Sequence, residues 1–316
     1  MAFAPLPPST VELEGPYAHD FVHTRGIRLH VATAGESTQP LVVLIHSAFG
    51  GWFDYQDVIA PLAQRGFHVA AVDMRGFGMS DKPPIDAGQD IRTLVGDISG
   101  LIQAMGHDDA FVVGADTGGA VAWCLAAERP ERVRGLASIS AAHPVDLRRA
   151  IAARPWDFGW INLRSLLCRL PRVTRAQNLL LSPRAYRKEL ELDTGPSLNG
   201  ATFDRILDLR LRASRIGSVR RGILWNHRMR TAVVPLNWVE LTVERPVLFI
   251  HAQQRLWNPV VRRAALRARH GFTATTVPGA KNLPHVEAPA EFVSTLGAGS
   301  KNIPSGPRTH RYRPGG

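Results

Sequence analysis

The sequence predicts an α/β fold in which a mostly parallel sheet is flanked by helices and a helical cap is inserted late in the chain. Short, wholly apolar runs such as Leu41–Ile45 alternate with helical patterns between residues 21 and 144, which is typical of a parallel sheet with helices on both faces. From residue 145 to residue 240 the alternation stops and the pattern is helical. The alternation resumes at Pro246–His251, so the helical block interrupts the sheet.

The individual elements follow from periodicity and from Gly and Pro positions. Residues 1–20 are rich in proline and predict a loose N-terminal arm, and Phe21–Ala34 predicts two short strands around Arg25-Gly26. Further strands are expected at 41–45, 67–72, 110–113, 133–140, 246–251 and 273–277, and helices at 56–65, 90–105, 120–127, 260–270 and 289–296.

These elements predict four parts of the chain. The core comprises residues 21–144 and 241–296, the cap comprises residues 145–240, and the arm is residues 1–20. Residues 297–316 are rich in Gly, Pro and Arg and predict a disordered basic tail.

The charge of the chain is concentrated in the predicted cap. The formal net charge is +11, and residues 145–240 hold 18 Lys and Arg against 8 Asp and Glu. This basic segment is interpreted either as a solvated face or as a surface that attracts an anionic membrane, an acidic partner or an anionic substrate. Because no nucleic-acid-binding motif accompanies the charge, a nucleic-acid partner is not expected.

Other features indicate a cytoplasmic protein without cofactor or metal. No apolar run approaches the roughly 18 residues of a membrane span, and the first residues, MAFAPLPP, lack the basic and apolar regions of a signal peptide. Cys124 and Cys168 are the two cysteines and lie far apart in the sequence, which argues against a disulfide framework.

The most informative stretch is Val112–Gly119, VVGADTGG. An apolar run leads into it and an Ala-rich helical run leads out, so it predicts a strand, a sharp turn and a helix. The glycines permit a strained turn that lifts Asp116 above the edge of the sheet. This is the layout of a nucleophile elbow with Asp in place of the commoner Ser; the alternative is a structural Asp that caps the next helix.

With these motifs the chain resembles the α/β-hydrolase superfamily, and within it the epoxide hydrolases, over residues 20–296. The resemblance is carried by DMRGFGMSDKPP at Asp73–Pro84, by Ala142-His143-Pro144 and by LPHVEAP at Leu283–Pro289. It implies that Asp116 attacks an epoxide carbon to form an alkyl-enzyme ester, which water activated by a His–carboxylate pair then hydrolyses. A dehalogenase fits less well, because Thr117 stands where that family usually has Trp, and the chain contains no G-x-S-x-G serine motif.

The resemblance also implies the groups that stabilise the reaction. The backbone N–H groups of Thr117 and of Ser47 or Ala48, in the segment that begins with His46, would form the oxyanion hole. In epoxide hydrolases tyrosines of the cap donate hydrogen bonds to the opening oxygen, and Tyr186 is the tyrosine of this cap. An ordinary helix tyrosine is the alternative interpretation of Tyr186.

Three positions depart from the family pattern, and one of them is Ser47, which follows His46 where the oxyanion segment of the family has Gly. The position of the family's catalytic acid holds Arg255, and the position of its catalytic His holds Asn282. An amide cannot serve as general base, and an arginine remains protonated and cannot orient an imidazolium. A register shift would offer His285 as the base; His251 is another candidate base, and Asp146 is an alternative acid.

Two hypotheses follow from the sequence. The first is an epoxide hydrolase-like enzyme with impaired turnover that acts on a small apolar epoxide or a lipid-like ligand through Asp116. The second is an inactive relative that binds a ligand, a membrane surface or an acidic partner through its basic cap, since a fold can retain a residue without using it.

Overall fold

The computed structural model describes residues 4–84, 90–169, 179–196 and 198–301. Within them, eight strands form one sheet in the order β1-β2-β4-β3-β5-β6-β7-β8. The strands are β1 Ala18–Thr24, β2 Ile27–Ala34, β3 Leu41–Ile45, β4 His68–Val72, β5 Ala110–Ala115, β6 Val133–Ile139, β7 Val247–Ile250 and β8 Phe272–Thr275. Strands β3 to β8 pair in parallel, and only β1 and β2 run antiparallel to their neighbours. The predicted fold class is therefore confirmed.

The helices lie where the periodicity placed them, with ends shifted by a few residues. The α-helices that the structure describes are α1 Gln56–Ala63, α2 Ile91–Ala104, α3 Thr117–Glu128, α4 Pro144–Ala153, α5 Gly159–Arg169, α6 Pro183–Asp193, α7 Gly200–Ala213, α8 Val219–Met229, α9 Trp257–Arg267, α10 Pro284–Glu287 and α11 Pro289–Lys301. Helix α9 begins three residues before the predicted start at 260, because a proline such as Pro259 is tolerated in the first helical turn.

The centre of the sheet is apolar on both faces. Every residue of β3 and of β4 is buried, because helices cover both sides of these parallel strands. Helix α3 is buried along almost its whole length from Thr117 to Ala127. The core therefore fixes the carboxyl ends of β3, β5 and β6, the edge at which the connecting loops converge.

The N-terminal arm is packed against the protein, in contrast to the loose arm that its prolines predict. Pro8–Val11 form a short 3-10 helix, and Val11 is buried. The indole Nε1 of Trp52 donates a hydrogen bond of 3.0 Å to the carbonyl of Val11, and the Leu6 N–H bonds the Arg215 carbonyl at 2.9 Å. Contacts distant in sequence therefore order these residues.

The C-terminal helix α11 extends to Lys301, so the predicted disordered tail does not begin at residue 297. Residues 302–316 lie outside the described residues. The small residues Gly297, Ala298 and Gly299 do not end the helix, since a glycine in a helix interior costs only about 1 kcal/mol and is readily offset by packing.

The predicted cap lies between β6 and β7 and contributes helices α4 to α8 among the described residues. Its boundaries at residues 145 and 240 stay a prediction. A buried ion pair joins the cap to the core: Arg210 of α7 donates to both carboxylate oxygens of Asp54, at 3.3 and 2.9 Å. Both side chains are at most 1% exposed, so the pair fixes α7 above the loop that follows β3.

Candidate active site

The turn after β5 places Asp116 above the edge of the sheet. Asp116 has φ 50° and ψ −112°, a backbone conformation that non-glycine residues rarely adopt. A Cβ on Gly118 would lie 2.4 Å from the carbonyl oxygen of Ile45, and a Cβ on Gly114 would lie 2.4 Å from the carbonyl oxygen of Gly118. Glycine is therefore required at both positions, and the strand, turn and helix that the sequence predicts are present.

The Asp116 carboxylate is held from two sides. Its Oδ1 forms an ion pair with Nη1 of Arg230, which follows α8. Its Oδ2 lies 3.5 Å from the Ala48 backbone N–H and 3.4 Å from the Thr117 hydroxyl. Burial raises the pKa of Asp116, but the charges of Arg230 and Arg164 outweigh burial, so the pKa is lowered overall. The group is therefore an ionised carboxylate at neutral pH.

A cavity of about 210 Å³ opens above this carboxylate. That volume is below the roughly 300–1,000 Å³ of sites for drug-sized molecules, so the cavity fits a small ligand. Its apolar wall includes Leu147, Phe158 and Trp257. Its polar residues are Ser47, Asp116, Ser140, Asp157, Glu189, Asp193, Arg230, Gln254, Lys281 and Asn282.

Asn282 lies in this cavity and forms a hydrogen-bonded chain with two neighbours. The Ser140 hydroxyl donates to Asn282 Oδ1 at 3.0 Å, and the Asn282 amide nitrogen donates to Asp193 Oδ1 at 3.3 Å. The backbone N–H of Asn282 also donates to the carbonyl of Asp193 at 2.9 Å. Ser140 has φ 45°, so the start of the chain lies in a strained turn directly after β6.

The cavity thus holds a second carboxyl group, that of Asp193, and its pKa is shifted in the opposite direction to that of Asp116. Burial and the charge of Asp116 raise the pKa of Asp193, the last residue of α6, although Arg164, Arg210 and Arg230 oppose the shift. Two nearby carboxyl groups whose pKa values are pushed apart are typical of acid–base pairs in active sites.

A second buried arginine supports the site from the cap. Arg164 pairs with Glu189, and its guanidinium lies 4.5 Å from the Phe49 ring centroid. Burial and the charge of Arg230 lower the pKa of Arg164 to about 10, so it remains protonated at neutral pH. Arg164 therefore adds positive potential that favours the ionised form of Asp116.

His46 positions the loop that carries Ala48. Its Nδ1 lies 2.7 Å from the Ser47 carbonyl, and its Nε2 accepts a 3.0 Å hydrogen bond from the Met74 N–H. The ring is buried and is not among the residues that line the cavity. His46 therefore fixes the backbone of the segment that carries Ala48, whereas Ser47 lines the cavity.

Asp73, the first residue of the DMRGFGMSDKPP motif, fixes the same loop. Its carboxylate accepts hydrogen bonds from the Trp52 N–H at 3.1 Å, the Met79 N–H at 3.0 Å and His30 Nδ1 at 2.9 Å. Burial raises the pKa of Asp73, but these bonds and the nearby histidines lower it to about 2. Gly78, with φ 44°, lies so close that a Cβ would be 2.0 Å from Asp73 Oδ2. The motif is thus a structural support of the site.

Three residues singled out from the sequence lie outside the group that lines the cavity. Arg255 is exposed in the turn before α9. His285 is buried and stacks on Tyr55 with centroids 4.5 Å apart, and burial lowers its pKa to about 4. Tyr186 is buried and packs edge-on against Phe49 at 5.2 Å. Their predicted roles therefore have no geometric support here.

The alternative acid and base have structural partners instead. Asp146 pairs through both carboxylate oxygens with the buried Arg267 of α9. The Nδ1 of His251 lies 2.9 Å from the Ala252 carbonyl. Conversely, the sequence reasoning missed Arg230, Asp193 and Ser140, because the predicted cap carries no motif that indicates which of its charges face inward.

A larger cavity of about 560 Å³ lies elsewhere, lined by strand residues such as Val42, Phe111 and Leu248 and by α11. It shares no residue with the Asp116 cavity and has no paired ionisable groups, so it is not a candidate active site. Within residues 4–84, 90–169, 179–196 and 198–301, no group of three His, Cys, Asp or Glu side chains is arranged to hold a metal. In the same ranges, none of the helices has the length and apolar character of a bilayer span.

Part of the chain is similar in sequence to known proteins. Over 124 residues the chain is 46% identical to the AB hydrolase superfamily protein YfhM of Bacillus subtilis, and the match covers 39% of this chain and 43% of YfhM. Over 124 residues it is 39% identical to epoxide hydrolase B of Mycobacterium tuberculosis, covering 39% and 35% of the two chains. The chain thus matches less than half the length of these curated relatives.

Solved structures match over almost the whole chain. A candidate acyltransferase from Salmonella enterica superposes with a TM-score of 0.81 at 23% identity, covering 91% of this chain and 96% of that one. Epoxide hydrolase A from Mycobacterium thermoresistibile superposes with a TM-score of 0.73 at 24% identity, covering 91% and 99%. These likenesses show the fold. The family model for the alpha/beta hydrolase fold matches residues 40–256, and the chain therefore belongs to the alpha/beta hydrolase family.

Proposed function

We propose that this protein captures a small epoxide at Asp116 as an alkyl-enzyme ester and releases the diol slowly. The observation that carries the proposal is the ionised Asp116 carboxylate at the tip of a strained elbow, with one oxygen facing the Ala48 N–H and a small, largely apolar cavity above it. A carboxylate suits displacement at a saturated carbon, and similarity to proteins named epoxide hydrolases supports this substrate class.

The two oxygens of Asp116 have different surroundings. Oδ2 faces Ala48 and Thr117, so it becomes the carbonyl oxygen of the ester and later the oxyanion. Oδ1 is then the attacking atom, and it is the oxygen that Arg230 holds. Arg230 must therefore shift when a ligand carbon approaches. Its Nε and Nη2 are buried without a partner among the described residues, and they offer hydrogen bonds to a ligand oxygen.

Release is expected to be slow because an amide stands at the family's His position. Asn282 neither accepts a proton from water near neutral pH nor becomes charged, and loss of a general base typically costs 10²–10⁴-fold. Formation of the ester needs the Asp116 carboxylate but no general base. The presence of Asn282 in place of a His should therefore slow hydrolysis of the ester and leave its formation unaffected.

Intact-protein mass spectrometry tests the proposal. The protein is incubated with aliphatic and aryl epoxides; the expected result is a mass increase equal to one epoxide molecule, followed by slow diol formation. In H₂¹⁸O, hydrolysis at the ester carbonyl puts the label into the peptide that contains Asp116. Asp116→Ala removes both signals, whereas Asp204→Asn, a change of an exposed carboxylate outside the cavity, leaves them intact. Absence of adduct and diol across the panel would refute the proposal.

A second candidate function is attachment to an anionic membrane through the predicted cap. Trp156, Leu163 and Leu166 are 73%, 47% and 57% exposed, and the two leucines lie three residues apart on α5, hence on one face. Exposed apolar side chains within a strongly basic segment are typical of proteins that bind anionic lipid surfaces.

Vesicle sedimentation tests this second function. Binding to vesicles of anionic phosphatidylserine, weaker on zwitterionic vesicles and reduced at high salt, is expected. The double variant Leu163→Ser/Leu166→Ser should weaken it, whereas Leu266→Ser, a change at another exposed leucine that is 82% exposed, should not. Equal binding to both vesicle types would contradict the proposal.

A further inference from the structure

The Asp116 cavity contains a carboxyl group for which the proposed reaction has as yet no use. Asp193 lies at the end of α6, lines the same cavity as Asp116 and is tied to the segment that contains Asn282. We infer that Asp193 is the proton carrier of this site: its carboxyl group gives a proton to the oxygen of the opening epoxide and takes one from water when the ester is hydrolysed. This inference rests on the proposed function.

Hydrogen bonds hold the Asp193 side chain in one orientation. The Ser140 hydroxyl donates to the amide oxygen of Asn282, so the amide nitrogen must point to Asp193. Asp193 Oδ1 accepts that bond, and the proton of a neutral Asp193 therefore belongs on Oδ2. Asn282, at the position where the family has its catalytic His, thus holds the carboxyl group of Asp193 in place through this hydrogen bond.

The backbone around Asp193 is held equally firmly. The Asn282 N–H donates to the Asp193 carbonyl at 2.9 Å, and the Lys281 ammonium donates to the Leu192 carbonyl. Two residues further on, the Gly195 N–H donates to Glu287. The end of α6 is therefore bound to the loop before α10, and Asp193 is presented to the cavity by a rigid support, as catalytic groups require.

The electrostatic surroundings favour a neutral Asp193 beside an ionised Asp116. Removal from water and the negative charge of Asp116 disfavour a second charge in the cavity. Asp116 keeps its charge because Arg230 contacts it directly. The charged and titratable groups that face Asp193 from the elements around it are Asp116, Arg164, Arg210, Arg230 and Glu287.

The proton balance closes over one cycle. Asp116 Oδ1 bonds to an epoxide carbon, the ring C–O bond breaks, and the oxygen takes the proton of Asp193. Water then attacks the ester carbonyl carbon while Asp193 takes a proton from it. The tetrahedral intermediate expels the alkoxide, which takes the proton left on the Asp116 carboxyl group. The products are a diol, ionised Asp116 and neutral Asp193, so no co-reactant besides water is needed.

The test is the rate of adduct formation on Asp116 as a function of pH. In the unaltered protein this rate should fall as pH rises through the raised pKa of Asp193, because only the neutral acid donates. Asp193→Asn should lower the rate at acidic pH about 10²-fold and remove the pH dependence. Asp193→Glu should restore part of the rate and the profile. Asp204→Asn removes an exposed carboxylate of α7 that does not line the cavity and should alter neither.

Two different failures are distinguishable. A normal adduct rate and an unchanged pH profile in Asp193→Asn would overturn the role of Asp193 and leave the proposed function intact. Absence of an adduct in the unaltered protein would overturn both. If Asp193→Asn does not fold, the profile of the unaltered protein still decides: an adduct rate that does not fall as pH rises above the ordinary pKa of an aspartyl carboxyl group would overturn the inference.

Discussion

Removal of Arg230 should destabilise the protein strongly at neutral pH and weakly in acid. Arg230 and Asp116 are 11% and 19% exposed, so Arg230→Met leaves a largely buried carboxylate without its direct partner. Breaking a buried ion pair from one side typically costs 3–5 kcal/mol. Because Arg164 also lowers the Asp116 pKa and remains in place, we expect the low end, about 3 kcal/mol at pH 7.

The pH dependence follows from the sign of each shift. With Arg230 present, the Asp116 pKa is lowered, so the carboxylate stabilises the fold above its unfolded-state pKa and loses this contribution as pH falls. Without Arg230 the pKa of Asp116 rises relative to the unaltered protein, because the largest influence that lowers it is removed, so the variant becomes relatively more stable as the carboxyl group takes up its proton. The cost of Arg230→Met should therefore shrink between pH 7 and pH 4.

Urea unfolding at both pH values measures this cost, with two controls. In an Asp116→Asn background no buried carboxylate is left unpaired, so Arg230→Met should cost less than about 1 kcal/mol. Arg255→Met removes an exposed arginine and should change stability by less than about 0.5 kcal/mol. An equal cost of Arg230→Met with and without the carboxylate, or a cost independent of pH, would refute the reasoning.

Three further predictions concern single positions. Asn282→His should shorten the lifetime of the enzyme ester at least about 10-fold, because an imidazole is a stronger base than the Asp193 carboxylate; an unchanged lifetime, followed by intact mass, would contradict this. His285→Phe should reduce the loss of folding stability in acid. The pKa of His285 is lowered to about 4 from 6.5 in the folded protein, so the unfolded state takes up the proton first and the free energy of unfolding falls by about 3 kcal/mol between those pH values. Urea unfolding of the unaltered protein should show this fall, and unfolding of the variant should not. Gly118→Ala should cost at least about 1–3 kcal/mol, because its Cβ would lie 2.4 Å from the Ile45 carbonyl oxygen, whereas Gly200→Ala meets nothing within 4 Å and serves as its control in thermal unfolding.

Local sequence patterns predicted the sheet and the elbow. The position of the N-terminal arm, by contrast, depends on contacts between residues that are far apart in the sequence. Strands such as Leu41–Ile45 are wholly buried and therefore wholly apolar, and the turn at Asp116 needs glycines that the sequence displays. The arm was predicted to be loose because it is rich in proline, and that prediction was wrong because Trp52 bonds the Val11 carbonyl. Such a contact joins residues 41 positions apart and leaves no local pattern.

The same distinction applies to the candidate site. Asp116 and Asn282 line one cavity, as expected for positions at the carboxyl ends of sheet strands. Arg230 and Asp193 come from the cap, where arginines and acids are spread over helices whose inward faces depend on packing. Nothing in the sequence distinguishes Arg230 from the many exposed arginines of that segment. The roles of all four residues stay predictions until the experiments are done.

The buried Asp54–Arg210 pair couples the position of α7 in the cap to the loop that follows β3. Asp54 lies in the 3-10 turn that follows the Ala48 segment, and Arg210 lies in the last turn of α7. An outward displacement of α7 would therefore pull this turn with it and would move the Ala48 N–H away from Asp116. Under the proposed function, a ligand whose binding displaces α7 would react slowly even when it binds, so this pair would link the position of the cap to the rate of reaction.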